Sequence, residues 1–85
     1  MPYVYILECA DGSLYTGWTV DVAQRVKAHN AGRGARYTRL HGPVKLVYAE
    51  EHPDRIAAMK RELEIKRWPR DKKLKLIGDQ GSAKR

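Results

Sequence analysis

The chain has 85 residues, with 17 Lys or Arg against 10 Asp or Glu, a formal net charge of +7. So short a chain holds one small core, which excludes a barrel, a doubly wound sheet or two independent domains. With 42% apolar and 32% charged residues it suits a folded domain rather than a disordered tail, and its single cysteine, Cys9, excludes an internal disulfide.

Tyr3 to Glu8 is rich in aromatic and β-branched residues, Ala10 to Ser13 supplies turn residues, and Leu14 to Thr19 is a second strand-like run. A hairpin is predicted, with Gly12 available for positive φ and with Tyr3 and Tyr5 on one strand face. Asp21 followed by Gln24 resembles a capping box, opening a helix that carries Val22, Val26 and His29 until Asn30 and Gly32 stop it. Gly32 to Arg39 is expected to form a basic loop, because it packs two glycines and three arginines into eight residues; it closes through Leu40, His41, Gly42 and Pro43. Val44 to Ala49 reads as a third strand. From Asp54 to Trp68 the spacing predicts a longer helix with Ile56, Met59 and Leu63 on its apolar face. Pro69 interrupts it, Lys72 to Ile77 adds a turn or two, and residues 78–85 should fray. The expectation is an α/β (α+β) domain over residues 1–77, a three-stranded antiparallel sheet flanked by helices, followed by a flexible tail over 78–85.

The basic balance favours an acidic partner, and nucleic acid is the commonest, since each phosphate that meets Lys or Arg releases condensed counterions. No apolar window approaches the ~18 residues of a membrane span, and the sequence reads as cytoplasmic. His29, His41 and His52 lack the close spacing of a zinc site, and neither a GxSxG elbow nor a P-loop occurs, which removes serine-hydrolase and NTPase readings.

Several side chains could carry chemistry. Glu62 borders the apolar side of its helix, where a carboxylate must pair with a cation or bind metal; an ion pair with Lys66 at i+4 is the ordinary reading. Arg25 and His29 lie four residues apart and could share one phosphate, although that spacing also suits plain amphipathic boundary positions. Tyr5 and Tyr15 are packing candidates unless cations nearby favour a phenolate. Arg33, Arg36, Tyr37 and Arg39 could hold phosphates or simply form a solvated loop.

Taken in order, Tyr3-Val4-Tyr5, Tyr15-Thr16-Gly17, Arg25, His29 and Glu62 resemble the motifs of the GIY-YIG nuclease superfamily. Gly32-x-Gly34-Ala35-x-Tyr37-Thr38-Arg39, Pro43 and Glu62-x-x-Ile65-Lys66 are similar to its short stand-alone bacterial branch, and the likeness covers residues 2 to 77. The resemblance implies hydrolysis of nucleic-acid phosphodiesters with one divalent ion, Mg2+ or Mn2+, held by Glu62. It also implies that Tyr5 or Tyr15 activates the attacking water, that Arg25 stabilises phosphate charge and His29 assists proton movement, and that Gly17 lets backbone approach the site. Gly17, Arg33, Arg36, Tyr37, Arg39 and Lys66 are the candidate nucleic-acid contacts, with DNA ahead of RNA and a protein partner for targeting. Tyr3 stands where the first motif has glycine, and Trp18 where repair nucleases of the superfamily carry lysine.

Two other readings compete. One is a catalytically silent binding module, supported by nine Lys or Arg against three acids between Arg55 and Lys75. The other is an interaction domain whose basic surface binds an acidic protein.

Overall fold

A computed structural model describes residues 1–83 of the chain. The elements are β1 (Tyr3–Cys9), β2 (Leu14–Thr19), α1 (Val22–Asn30), α2 (Arg36–His41), β3 (Val44–Glu51), α3 (Arg55–Lys66) and α4 (Arg70–Ala83). They form a three-stranded antiparallel sheet in the order β2-β1-β3, flanked by helices, the predicted α+β architecture.

The central place of β1 accounts for its unbroken apolar run. Val4, Tyr5, Ile6 and Leu7 are all at most 1% exposed, because helices cover both faces of the strand. Alternation sorts these residues into two layers. Val4 and Ile6 pack with Tyr48, Ala58 and Ile65 on the α3 side. Tyr5, Leu7 and Cys9 pack with Val44, Tyr15 and Val26 on the α1 side. Between β1 and β3 the register slips, Ile6 facing Tyr48 and Leu7 facing Leu46. The extra residue, Val47, resets the pleat, so Val47 and Tyr48 both meet the α3-side core.

Local chemistry fixes the joints. Gly12 turns the hairpin at φ +86°, and the Asp11 carboxylate accepts from the Ser13 N–H at 3.0 Å and its hydroxyl at 2.6 Å. Asp21 caps α1 by accepting from the Gln24 N–H at 3.0 Å. The reciprocal half of the box is replaced by the Asp21 N–H donating to Thr19 Oγ1 at 3.3 Å. Asn30 ends α1 and clamps the start of β3, accepting from the Val44 N–H at 2.7 Å and donating to its carbonyl at 3.1 Å.

Three expectations change. The basic loop over Gly32 to Arg39 is half helix, since Arg36 to His41 forms α2. Composition suggests a loop there, but Thr38 is a buried anchor at 1% exposure and pulls the segment into a helical turn against α1. The apolar face predicted for α3 is its outer one: Ile56, Met59 and Leu63 are 66%, 44% and 54% exposed, while Ala58 and Ile65 are fully buried. Several stripes of this helix are comparably apolar, and the sheet accepts the one whose small Ala58 permits close approach. Helix α4 runs to Ala83, beyond the turn or two expected after Pro69, and the last tail residues, 84 and 85, lie outside the described residues.

Glu50 joins β3 to α3. Its carboxylate accepts from the Tyr48 hydroxyl at 2.5 Å and from Arg61 Nε at 2.9 Å, with His52 Nε2 at 2.5 Å. These hydrogen bonds hold Glu50 below the usual carboxylate range against the upward push of burial, and burial with the Glu50 contact pushes the Tyr48 phenol up to about 12.

Candidate active site

The site grows from the hairpin register. Tyr5 on β1 faces Gly17 on β2, and both Tyr5 and Tyr15 project toward the α1 layer. A Cβ at position 17 would lie 2.6 Å from the Tyr5 hydroxyl, so only glycine lets this phenol lie across its neighbour strand. The sequence reading gave Gly17 a role in backbone approach to a ligand; in the fold it makes room for a side chain.

The Tyr5 hydroxyl meets His29 Nε2 at 3.0 Å. His29 is itself 2% exposed, and its Nδ1 lies 2.6 Å from Thr38 Oγ1. The Thr38 hydroxyl donates its proton to the Ala35 carbonyl at 2.9 Å, and a carbonyl can only accept. Thr38 Oγ1 must therefore accept from a protonated Nδ1, which in a neutral imidazole leaves Nε2 bare. Tyr5 O–H then donates to Nε2, and the pair is poised to pass the phenol proton to the ring. Gly34 closes the pocket: a Cβ there would sit 2.2 Å from His29 Nδ1.

Charge gathers around this chain of hydrogen bonds. Burial pushes the Tyr5 phenol up; the Arg25 guanidinium pulls it back, while Tyr15 and the Glu62 carboxylate push it further. Burial, then Arg25, holds His29 below the ordinary imidazole range. Four groups distant along the chain, Tyr15, Arg25, His29 and Glu62, thus act on Tyr5. Tyr15 lies edge-on to His29 with ring centroids 5.3 Å apart and is only half-buried, the more open of the two phenols.

Glu62 projects from the sheet-facing side of α3 between Ala58 and Ile65, its side chain 17% exposed, with Lys66 Nζ at 3.5 Å. The expected ion pair forms, and the carboxylate still acts on the tyrosine. No group of three His, Cys, Asp or Glu that could hold a metal ion occurs among the described residues. A single glutamate fits a hard ion that keeps several waters and takes further oxygens from a bound phosphate. It does not fit a soft ion that needs nitrogen or sulfur ligands.

The candidate nucleic-acid contacts divide. Tyr37 stacks near Tyr15 at 6.2 Å and 24°, and Lys66 joins both in lining a hollow beside them. Arg33, before α2, and Arg36 and Arg39, on it, are exposed. Sequence reasoning missed Thr38 and Gly34 as the residues that hold His29, and Lys73 of α4 as a wall of the same hollow. A Thr four residues after a Gly carries no periodic signal, and only the approach of α2 to α1 reveals what they touch.

A protein-family model described as the GIY-YIG catalytic domain matches residues 1–75. A UPF0213 protein of Staphylococcus saprophyticus is 52% identical over 77 residues, covering 91% of this chain and 94% of that protein. Another, from Streptococcus sanguinis, is 56% identical over 75 residues, covering 88% and 86%. The solution structure of a UPF0213 protein from Bacillus halodurans is similar at TM-score 0.62 and 50% identity, over 95% of this chain and 87% of that one. A solution structure from E. faecalis is similar at TM-score 0.61 and 37% identity, over 93% and 84%.

Proposed function

This chain belongs to the GIY-YIG catalytic-domain family, with short bacterial relatives, and from that membership we propose that it hydrolyses nucleic-acid phosphodiester bonds, DNA ahead of RNA. The observation that carries the reading is the Tyr5 hydroxyl on the bare Nε2 of a His29 whose other nitrogen is tied to Thr38. That contact satisfies a buried ring nitrogen, and it also aligns a phenol, an imidazole and the Arg25 and Glu62 charges around one proton path.

In this reading, Tyr5 accepts a proton from the attacking water as its own proton passes to His29 Nε2. The P–O bond to water's oxygen forms, the bond to the leaving nucleotide oxygen breaks, that oxygen takes its proton from bulk water, and His29 gives the proton it gained back to solvent to restore the bare Nε2. Neither Tyr5 nor His29 is charged at rest, because burial opposes both ions. The transfer is therefore concerted with attack, without a standing phenolate. Arg25, beside Tyr5, offsets charge on the phosphate. Tyr15, the more open phenol, orients the water. Glu62 is the residue that would hold Mg2+ or Mn2+, with water and phosphate oxygens completing its shell, and such an ion supplies Lewis-acid stabilisation of the phosphate.

Arg33, Arg36, Arg39 and Lys66 would contact the backbone of the polymer, positioning it without reading sequence. No helix among the described residues is long and apolar enough to cross a membrane; a cytoplasmic location, a targeting partner and a catalytic domain bounded near residue 77 belong to this proposal.

The test is a cleavage assay with Mg2+ or Mn2+ on single-stranded, duplex and branched substrates. Cutting by the native protein and its loss in Glu62→Ala is the expected result. Binding without cutting would replace the enzyme with a basic binding module, and equal cutting by the variant would remove Glu62 from the site.

A further inference from the structure

Beside Tyr15 lies a hollow of about 190 Å³, lined by Leu14, Tyr15, Thr16, Tyr37, Lys66 and Lys73. Four elements meet there: β2, α2, α3 and α4. Its walls combine two tyrosine rings with two lysines, and Lys66 is the partner of Glu62 at 3.5 Å, so the hollow adjoins the proposed metal-binding carboxylate.

The aromatic wall is preorganised. Tyr37 stacks on His41 at 4.2 Å and 19°, and lies near-parallel to Tyr15 at 6.2 Å and 24°. His41 is held in place because its Nδ1–H donates to the Tyr37 carbonyl at 2.8 Å. Tyr37 is nonetheless 40% exposed, so the supported ring still meets solvent.

Resting on the nuclease reading, we propose that this hollow is a subsite for one unpaired nucleotide flanking the scissile phosphate, its base stacked on Tyr37 and its phosphate held by Lys73. A supported ring beside cationic groups is the chemistry that binds single-stranded nucleic acid without sequence preference. In a duplex, each base has both faces covered by its neighbours and offers none to Tyr37. The substrate class is therefore a single strand or the unpaired arm of a branched one, and intact duplex is a poor ligand.

Binding is measured by fluorescence anisotropy of the full chain in EDTA, so that no metal-dependent cutting intrudes, with a labelled oligothymidylate, the same strand carrying abasic sites, and its duplex. The native protein should bind the plain strand roughly tenfold more tightly than the abasic strand, about what one base stack is worth. Tyr37→Ala should lose the same factor on the plain strand and little on duplex, and Tyr37→Phe should retain binding. Lys73→Gln should lower the slope of log affinity against log salt by roughly one for every strand. Equal binding of plain and abasic strands by the native protein overturns the subsite, and that arm needs no variant to fold. Equal loss by Tyr37→Ala on strand and duplex overturns it as well. The two readings fail separately: Tyr37-dependent strand binding with no cleavage in Mg2+ sinks the nuclease and keeps the subsite, whereas Glu62-dependent cutting of duplex, indifferent to Tyr37, does the reverse.

Discussion

His29 Nδ1 donates to Thr38 Oγ1 over 2.6 Å, and because that hydroxyl donates onward to the Ala35 carbonyl, the histidine is confined to the tautomer with Nε2 bare. In the proposed reaction Thr38 would be a positioning residue, acting through His29 and touching no reacting atom. Thr38→Val keeps the shape and removes the acceptor. Cleavage should fall roughly ten- to a hundredfold, a share of the ~10²–10⁴ that positioned proton transfer contributes, while Thr38→Ser should recover most of it. Nitrogen chemical shifts of the His29 ring separate this from simple unfolding: they should report mixed tautomers in Thr38→Val, and a folded variant with an unchanged tautomer and an unchanged rate would refute the assignment.

Gly17 and Tyr5 make a second pair whose fit is steric. In Gly17→Ala the new methyl would stand 2.6 Å from the Tyr5 oxygen, and either the ring swings off His29 or the strands part. Overpacking of this kind costs about 1–3 kcal/mol. The expected outcome is a lower melting temperature with activity reduced further than stability accounts for. Full activity at 25 °C would show that the Tyr5–His29 hydrogen bond is dispensable.

The pH dependence follows from His29. Its folded pKa lies below the ordinary value of about 6.5 because burial disfavours imidazolium, with the Arg25 charge adding to that. The proposed proton transfer needs Nε2 bare, so on that reading the acid limb of the rate profile should fall below that ordinary value. Stability runs with the same sign. Between the folded and unfolded pKa values the unfolded chain holds more protons on His29, so stability declines as pH drops from the ordinary imidazole range toward the folded value. Arg25→Ala removes the like charge and should move the His29 midpoint upward in an NMR titration. A downward shift would contradict the placement of Arg25 beside the ring.

Glu50 offers a prediction remote from the site. Its carboxylate is held down by Tyr48, Arg61 and His52 and joins β3 to α3. Glu50→Gln leaves Arg61 only the more exposed Glu64 as a charged partner and should destabilise by about 1.5–3 kcal/mol, the range for a hydrogen bond to a charged group. A carboxylate with a lowered folded pKa stabilises above its unfolded value and loses that contribution as pH falls through the folded one. The native protein should therefore lose this increment in acid, and Glu50→Gln should show a flatter dependence between neutral and acidic pH. Parallel denaturation midpoints for both proteins across that range would show that Glu50 adds nothing.

Much of the fold was legible because local chemistry wrote it. The Asp11-Gly12 turn, the Asp21 cap and the stops at Asn30 and Pro69 act over a few residues, and the three strands declare themselves by aromatic and β-branched content. Two elements escaped. Segment 36–41 looks polar and glycine-flanked, and its helix depends on Thr38 being buried against α1. Helix α3 carries more than one apolar stripe, and the outer one is larger, so periodicity selects the wrong face.

The site divides in the same way. Tyr5, Tyr15, Arg25, His29 and Glu62 came together as a set only through the resemblance of their order along the chain to the GIY-YIG motifs, since spacing alone reads each as an ordinary packing, boundary or ion-pair residue. Which nitrogen of His29 is bare, that Gly17 and Gly34 make room for neighbouring rings, and that Tyr37, Lys66 and Lys73 share one hollow were decided by tertiary structure alone. Proton positions and close packing depend on distances between residues far apart in the chain, and spacing along one strand or helix carries no information about those distances.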